Sequence, residues 1–134
     1  MRSALKILLV EDNAADAMLV REYLVGRHGP APTVTHVVRA RDAVAYLQVE
    51  EPDVILLDLL LPDTMGLDSV AMVRDAAPDS PIVVISGLED NELTARSLAM
   101  GVHDYLLKDH MTPMLLRHAI DVAIARVRLA LCAG

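Results

Sequence analysis

Five short runs, crowded with Val, Ile and Leu on consecutive positions and each ending in or abutting a polar residue, recur along the chain: Ile7 to Glu11, Val34 to Arg39, Val54 to Asp58, Ile82 to Ser86 and Asp104 to Leu107. A strand apolar on both of its faces must be covered on both, and parallel sheets bury strands in this way. Between the runs apolar residues return every three or four positions, the spacing of a helix with one buried face. Leu19, Val20, Tyr23 and Leu24 share one such face, Val44 and Leu47 a second, and Leu67, Val70, Ala71 and Met72-Val73 a third. Each stretch meets a breaker: Gly26 and Gly29-Pro30, then Glu51-Pro52, then Ala77-Pro78 with Pro81. A fourth helix is predicted from about Asn91 to Met100, before Gly101, and a fifth opens at Thr112-Pro113 and runs to about Leu131. Strands alternating with helices, joined by right-handed crossovers, predict an α/β fold: a doubly wound five-stranded parallel sheet with five helices on its two faces. Thr33-Val34-Thr35-His36-Val37-Val38 alternates most clearly and is expected at a sheet edge.

At 134 residues the chain suits one domain with one buried interior. Although 54% of its residues are hydrophobic, no apolar run approaches the roughly 20 residues that span a bilayer. The amino terminus, Met1-Arg2-Ser3-Ala4-Leu5-Lys6, leads into acids with no small-residue cleavage site, so a cytoplasmic location is expected, with no membrane partner. Phe and Trp are absent and there are three Tyr, which leaves Leu, Ile, Val, Ala and Met to build the interior. The single cysteine, Cys132, allows neither an internal disulfide nor a thiolate metal cluster. A net charge of -7 argues against a direct nucleic-acid surface, which needs clustered Lys and Arg. His28, His36, His103, His110 and His118 lack metal-ligand spacing and read as surface or loop residues.

In an open parallel sheet the ligand crevice lies at the carboxyl ends of the strands. The polar residues there are Glu11 and Asp12 after the first strand, Asp58 after the third, Ser86 after the fourth and Lys108 after the fifth. Three crowded carboxylates raise one another's pKa unless a cation sits among them. Oxygen ligands with open positions suit Mg2+, which keeps waters and prefers one or two carboxylates plus a phosphoryl oxygen. A carboxylate beside Mg2+, a Lys and a hydroxyl can attack a phosphoryl group, while the cations take up the charge on its equatorial oxygens. Singly, each of these residues more often caps a turn or faces solvent. Lys108, closing an apolar strand opposite three acids, is better explained as their counter-ion.

These residues, in this order over essentially the whole chain, resemble the receiver domains of two-component response regulators. The resemblance rests on Glu11-Asp12, on Asp58-Leu59-Leu60-Leu61-Pro62-Asp63-Thr64-Met65-Gly66 with the family's Asp, Pro and Gly spacing, on Ser86-Gly87 and on Tyr105-Leu106-Leu107-Lys108. It implies the flavodoxin-like strand order 2-1-3-4-5. It also implies that Asp58 accepts a phosphoryl group from a histidine kinase or histidine phosphotransfer protein. Glu11, Asp12, Asp58 and the backbone carbonyl of Leu60 would hold Mg2+, and Lys108 would bind a phosphoryl oxygen. Ser86 would hydrogen-bond the phosphoryl group and leave space for Tyr105 to turn inward, remodelling the surface of the fourth helix, fifth strand and fifth helix, where a homodimer could form. No turnover of an external substrate is expected.

The sequence departs from the family's commonest pattern at three positions. Asp109 follows Lys108 where the family usually has Pro, and because a cis bond before a non-proline residue costs about 2.5–4 kcal/mol, the shape of the loop from Lys108 to Thr112 is left open. Leu60 and Leu88 are apolar at positions that in this family tune hydrolysis of the acyl phosphate, so a slowly self-dephosphorylating receiver is expected. Other readings fit less well. A phosphatase of the haloacid-dehalogenase type needs a second Asp where Leu60 stands, an FMN carrier needs a Ser, Thr and Gly-rich loop where Glu11-Asp12-Asn13 stands, and a phosphate-independent pseudo-receiver would have lost the acceptor, the acids or the Lys. Residues 1–134 thus read as one receiver domain. Beyond Ala123 the apolar residues Ile124, Val127, Leu129 and Leu131 leave a single stripe, so about 125–134 read equally well as a fraying end and as the start of a helical linker to an output domain.

Overall fold

A computed structural model describes residues 4–25 and 30–133. Its elements follow the expected alternation: β1 (Lys6–Val10), α1 (Ala14–Leu24), β2 (Thr33–Val37), α2 (Ala40–Leu47), β3 (Val54–Leu57), α3 (Leu67–Ala76), β4 (Ile82–Ser86), α4 (Asn91–Ala99), β5 (Asp104–Leu107) and α5 (Pro113–Ala133). The five strands are parallel in the order β2-β1-β3-β4-β5, with β2 at an edge. Gly26, His28 and Gly29 lie outside the described residues.

Successive side chains of a strand point to opposite faces, and both faces here are covered. Ile7 and Leu9 of β1, Val54 and Leu56 of β3 and Val83 and Ile85 of β4 pack with Ala17, Val20 and Leu24 of α1 and Leu116, Ala119, Ile120, Ala123 and Ile124 of α5. Leu8, Val10, Ile55, Leu57, Ile82 and Val84 face the other way, onto Ala40 and Ala43 of α2 and Val70 and Val73 of α3. A fully buried Leu, Ile or Val side chain contributes about 1.5–3 kcal/mol, so these two layers fix the sheet and with it the rim that carries the polar residues. Among the methionines Met111 is buried and Met72 and Met100 pack against the interior, whereas Met18, Met65 and Met114 are exposed.

The strand ends differ slightly from the sequence expectation. Glu11, Asp58 and Arg39 fall outside β1, β3 and β2, but Glu11 N–H donates to Val37 O at 3.0 Å and Asp58 N–H to Val10 O at 3.0 Å, so the ladder reaches both acids. Gly66 precedes α3 with φ +63 and ψ -137, a backbone state that side-chain-bearing residues rarely adopt. An added Cβ would meet nothing within 4 Å, so conformation rather than space demands the glycine. The Lys108–Asp109 bond is trans, since no described bond is cis, and the loop left open by sequence is one 3-10 turn over Lys108–His110. Thr112 Oγ1 then accepts from Leu115 N–H at 3.1 Å and starts α5. Among the described residues no helix is long and apolar enough to cross a membrane.

Candidate functional site

The parallel topology delivers Glu11, Asp12, Asp58 and Lys108 to one rim. Ligand oxygens of Glu11, Asp12 and Asp58 lie within 4.8 Å of one another, with Asp12 exposed and the other two buried. Lys108 Nζ reaches Glu11 Oε1 at 2.7 Å and Asp58 Oδ2 at 3.0 Å. Asp58 Oδ1 accepts from Leu60 N–H at 3.2 Å, which holds the carboxylate in the crevice.

Electrostatics follow from this crowding. Burial, then the hydrogen bond and charge of Asp58, raise the Glu11 pKa from 4.5 to about 8, with Lys108 opposing. Burial would lower the pKa of Lys108, but the carboxylates of Asp16, Glu11 and Asp58 overcome it and hold the ammonium above its ordinary range. A buried acid that keeps its proton beside an ammonium signals a deficit of positive charge. The three-oxygen donor set, one member open to solvent, therefore fits a hard divalent cation.

The loop after Asp58 is tied at both ends. Leu61 N–H donates to Thr64 O at 3.0 Å and Gly66 N–H to Leu59 O at 2.7 Å, and neither bond uses the Leu60 carbonyl. Asp63 accepts from Ala40 N–H and Arg41 N–H, both at 3.0 Å. It caps α2, whose own N-cap residue, Arg39, makes no side-chain capping bond. Although burial pulls the Asp63 pKa up, the N–H groups of Arg41 and Ala40 hold it below the ordinary value.

Ser86 is wholly buried and its Oγ accepts from Leu88 N–H at 3.1 Å. The Tyr105 hydroxyl donates to Leu88 O at 2.8 Å. A short chain of bonds thus joins Ser86 to Tyr105 through the backbone of Leu88, and Tyr105 is half-buried against the α3 side of the sheet.

Three participants were not singled out from the sequence. Asp16, in the first turn of α1, reaches Lys108 Nζ at 2.7 Å. His36 lies in β2 rather than on a loop, and its Nε2 donates to the Glu11 carbonyl at 2.6 Å. Asp63 was noted only as a member of a motif. His103 also departs from the surface expectation: it is half-buried, and its Nδ1 accepts from Ile82 N–H at 3.3 Å at the opposite end of β4. His110 and His118 are exposed as expected.

The structure is thus a doubly wound α/β domain with three convergent acids, a lysine and a buried serine at the carboxyl ends of its strands. The family model described as "Response regulator receiver domain" matches residues 7–121, and the chain belongs to that family. Regulatory protein LuxO of Vibrio cholerae is 37% identical over 101 residues, which cover 75% of this chain and 21% of that protein. Transcriptional regulatory protein KdpE of Staphylococcus aureus is 36% identical over 108 residues, 77% of this chain and 43% of that one. The chain therefore spans less than half the length of these curated relatives. The receiver domain of a putative Luxo repressor protein from Vibrio parahaemolyticus matches in fold with a TM-score of 0.84 at 23% identity, covering 98% of both chains. The phosphorylated cyanobacterial phytochrome response regulator RcpA matches with a TM-score of 0.73 at 28% identity, covering 98% of this chain and 97% of that one.

Proposed function

We propose that Asp58 is the phosphoacceptor of a two-component system. The observation that carries this reading is the contact of Lys108 Nζ with a buried Asp58, 3.0 Å away, inside a cluster of acids suited to a divalent cation. An Asp58 oxygen attacks the phosphorus of a phosphohistidine on a histidine kinase or histidine phosphotransfer protein. The new O–P bond forms as the P–N bond breaks, and the imidazole leaves, taking a proton from solvent. Lys108 stabilises one equatorial oxygen. Glu11, Asp12, Asp58 and the Leu60 carbonyl would hold Mg2+, which when bound neutralises charge on the phosphoryl oxygens.

Ser86 would then exchange its bond to Leu88 N–H for one to the phosphoryl group. That exchange loosens the segment whose carbonyl holds the Tyr105 hydroxyl, and the surface of α4, β5 and α5 changes. Exposed Leu98, Met114 and Leu115 on that surface supply apolar area for a second copy. Residues 125–134 lead toward an output domain, a reading supported by the greater length of the curated relatives and by the exposure of Leu129 and Leu131. The test is beryllofluoride binding in Mg2+: saturable binding by wild type and none by Asp58→Asn is expected, and equal responses would refute the assignment. Sedimentation of the beryllofluoride form checks the second copy, and a shift toward dimer is the expected result.

A further inference from the structure

Asp16 occupies a position that ordinarily serves the helix, yet it serves the crevice. Asn13 is the N-cap of α1 and its Oδ1 accepts from Asp16 N–H at 3.0 Å, so Asp16 is the third residue of the helix. An acid at that position commonly turns back to accept the N–H of the N-cap residue. Here Asn13 N–H donates to Glu11 Oε2 at 3.2 Å instead, and Asp16 extends to Lys108 Nζ at 2.7 Å. An ammonium has three protons, and oxygens of three acidic side chains receive them: Glu11 at 2.7 Å, Asp16 at 2.7 Å and Asp58 at 3.0 Å.

We propose that Asp16 is the positioning residue of Lys108, the carboxylate that stays with the ammonium throughout phosphoryl transfer. The proposal rests on the phosphoacceptor reading of Asp58. Of the three partners, Asp58 becomes an acyl phosphate and Glu11 belongs to the group of acids whose oxygens converge on a cation position, a group that does not include Asp16. Asp16 alone keeps a full charge for Lys108. Its backbone is fixed by the Asn13 cap on one side and by buried Ala17 on the other. Lys108, by contrast, has a flexible four-carbon stem whose ordering costs entropy, and losing one anchor lets it sample positions from which it does not reach the phosphoryl oxygen.

The chain has two lysines, Lys6 and Lys108, and the Lys6 side chain is 58% exposed, so it serves as an internal reference amine. Metal-free wild type and Asp16→Ala are treated with an acetylating ester and digested, and the acetylation of each lysine is read by mass spectrometry. The ratio of Lys108 to Lys6 labelling should rise roughly tenfold in the variant, the fold-change that one charge-assisted hydrogen bond is worth. With phosphoramidate and Mg2+, the rate of Asp58 phosphorylation at saturating donor should fall by about the same factor, with Mg2+ affinity unchanged and with Asp16→Glu recovering most of the loss. A role confined to the helix dipole would lower the melting temperature and leave the labelling ratio alone, which overturns the proposal. So does faster phosphorylation, which would mean that Asp16 competes with the phosphoryl group for Lys108. If wild type takes no phosphoryl group at Asp58, the acceptor reading fails on its own account, while the labelling arm still decides whether Asp16 holds Lys108.

Discussion

Replacing Glu11 with glutamine should stabilise the metal-free protein, even though Glu11 stands in the crevice assigned to the chemistry. Glu11 is buried, and burial, reinforced by Asp58 and opposed by Lys108, lifts its pKa from 4.5 to about 8. An acid whose pKa is higher folded than unfolded binds its proton more tightly in the folded state. The stability it contributes is fully present below pH 4.5 and is lost as the pH rises through about 8. At about 1.4 kcal/mol per pH unit, the interval from 4.5 to about 8 bounds the whole loss at roughly 5 kcal/mol. At pH 7 the unfolded chain has ionised while the folded acid still holds its proton, which places roughly 3 kcal/mol of that loss already behind it. Glutamine is neutral at every pH but has one acceptor oxygen where Glu11 uses two, Oε1 for Lys108 and Oε2 for Asn13 N–H, so it keeps the bond from Lys108 and gives up the one from Asn13. Allowing for a weaker bond to Lys108 and the lost bond from Asn13, we expect a gain of about 1 kcal/mol at pH 7. Urea unfolding in EDTA from pH 5 to 9, followed by far-ultraviolet circular dichroism, measures it. The wild-type midpoint should fall with pH, that of the variant should be flatter and higher, and added Mg2+ should stabilise wild type increasingly as pH rises. A wild-type midpoint that is constant or rises across this range, or a variant less stable than wild type in EDTA, would show that the crevice is not short of positive charge.

Two substitutions probe the frame, and one measurement the lifetime of the modified state. Asp63→Ala removes the cap shared by Ala40 N–H and Arg41 N–H, and a loss of about 1 kcal/mol is expected by urea unfolding at neutral pH. Because the Asp63 pKa is held down, this difference from wild type should shrink as the pH falls below about 4. Arg74 donates from Nη1 to Ala77 O, Pro78 O and Ser80 O and from Nη2 to Gly101 O, joining the loop after α3 to the loop after α4, and Arg74→Met should cost about 2–3 kcal/mol in the same assay. With Leu60 and Leu88 unable to orient an attacking water, radiolabelled phosphoryl-Asp58 should persist for many minutes, and a half-life of seconds would sink that expectation.

The sheet was legible because a strand buried on both faces leaves a mark that few other structures leave. Ile7 to Val10, Val54 to Leu57 and Ile82 to Ile85 carry no internal polar residue, and each alternates between the two packed layers. Boundaries slipped by a residue or two where the hydrogen-bond ladder outruns the strand, as at Glu11 and Asp58. The buried face of α2 was misjudged for a different reason. Large apolar residues suggested Val44 and Leu47, whereas Ala40 and Ala43 are the residues fully buried there, with Tyr46 and Leu47 packed at the margin. Alanines let a helix approach the sheet closely, and hydrophobic periodicity weighted toward large side chains overlooks them.

The crevice divides along the same line. Glu11, Asp12, Asp58, Ser86 and Lys108 could be assembled from sequence because parallel strands must end on one side, so topology alone gathers the residues that follow them. Asp16 and His36 obey no such rule. Asp16 is the third residue of a helix, where an acid is already explained by the dipole and the cap. Only the use of Asn13 N–H by Glu11 shows that Asp16 is available for another partner. His36 reaches the Glu11 carbonyl from an edge strand whose register with β1 is a tertiary fact. What these additions change is the balance of the site: three acids, Glu11, Asp16 and Asp58, contact the Lys108 ammonium, and Asp12 lies beside two of them. On the phosphoacceptor reading, a phosphoryl group entering this crevice would meet acids on several sides and positive charge only at Lys108 and at a bound divalent cation. If Asp58 is the acceptor, the direction in which Lys108 points would govern whether it can act, and Asp16 of α1 is one of the three acids that hold that direction.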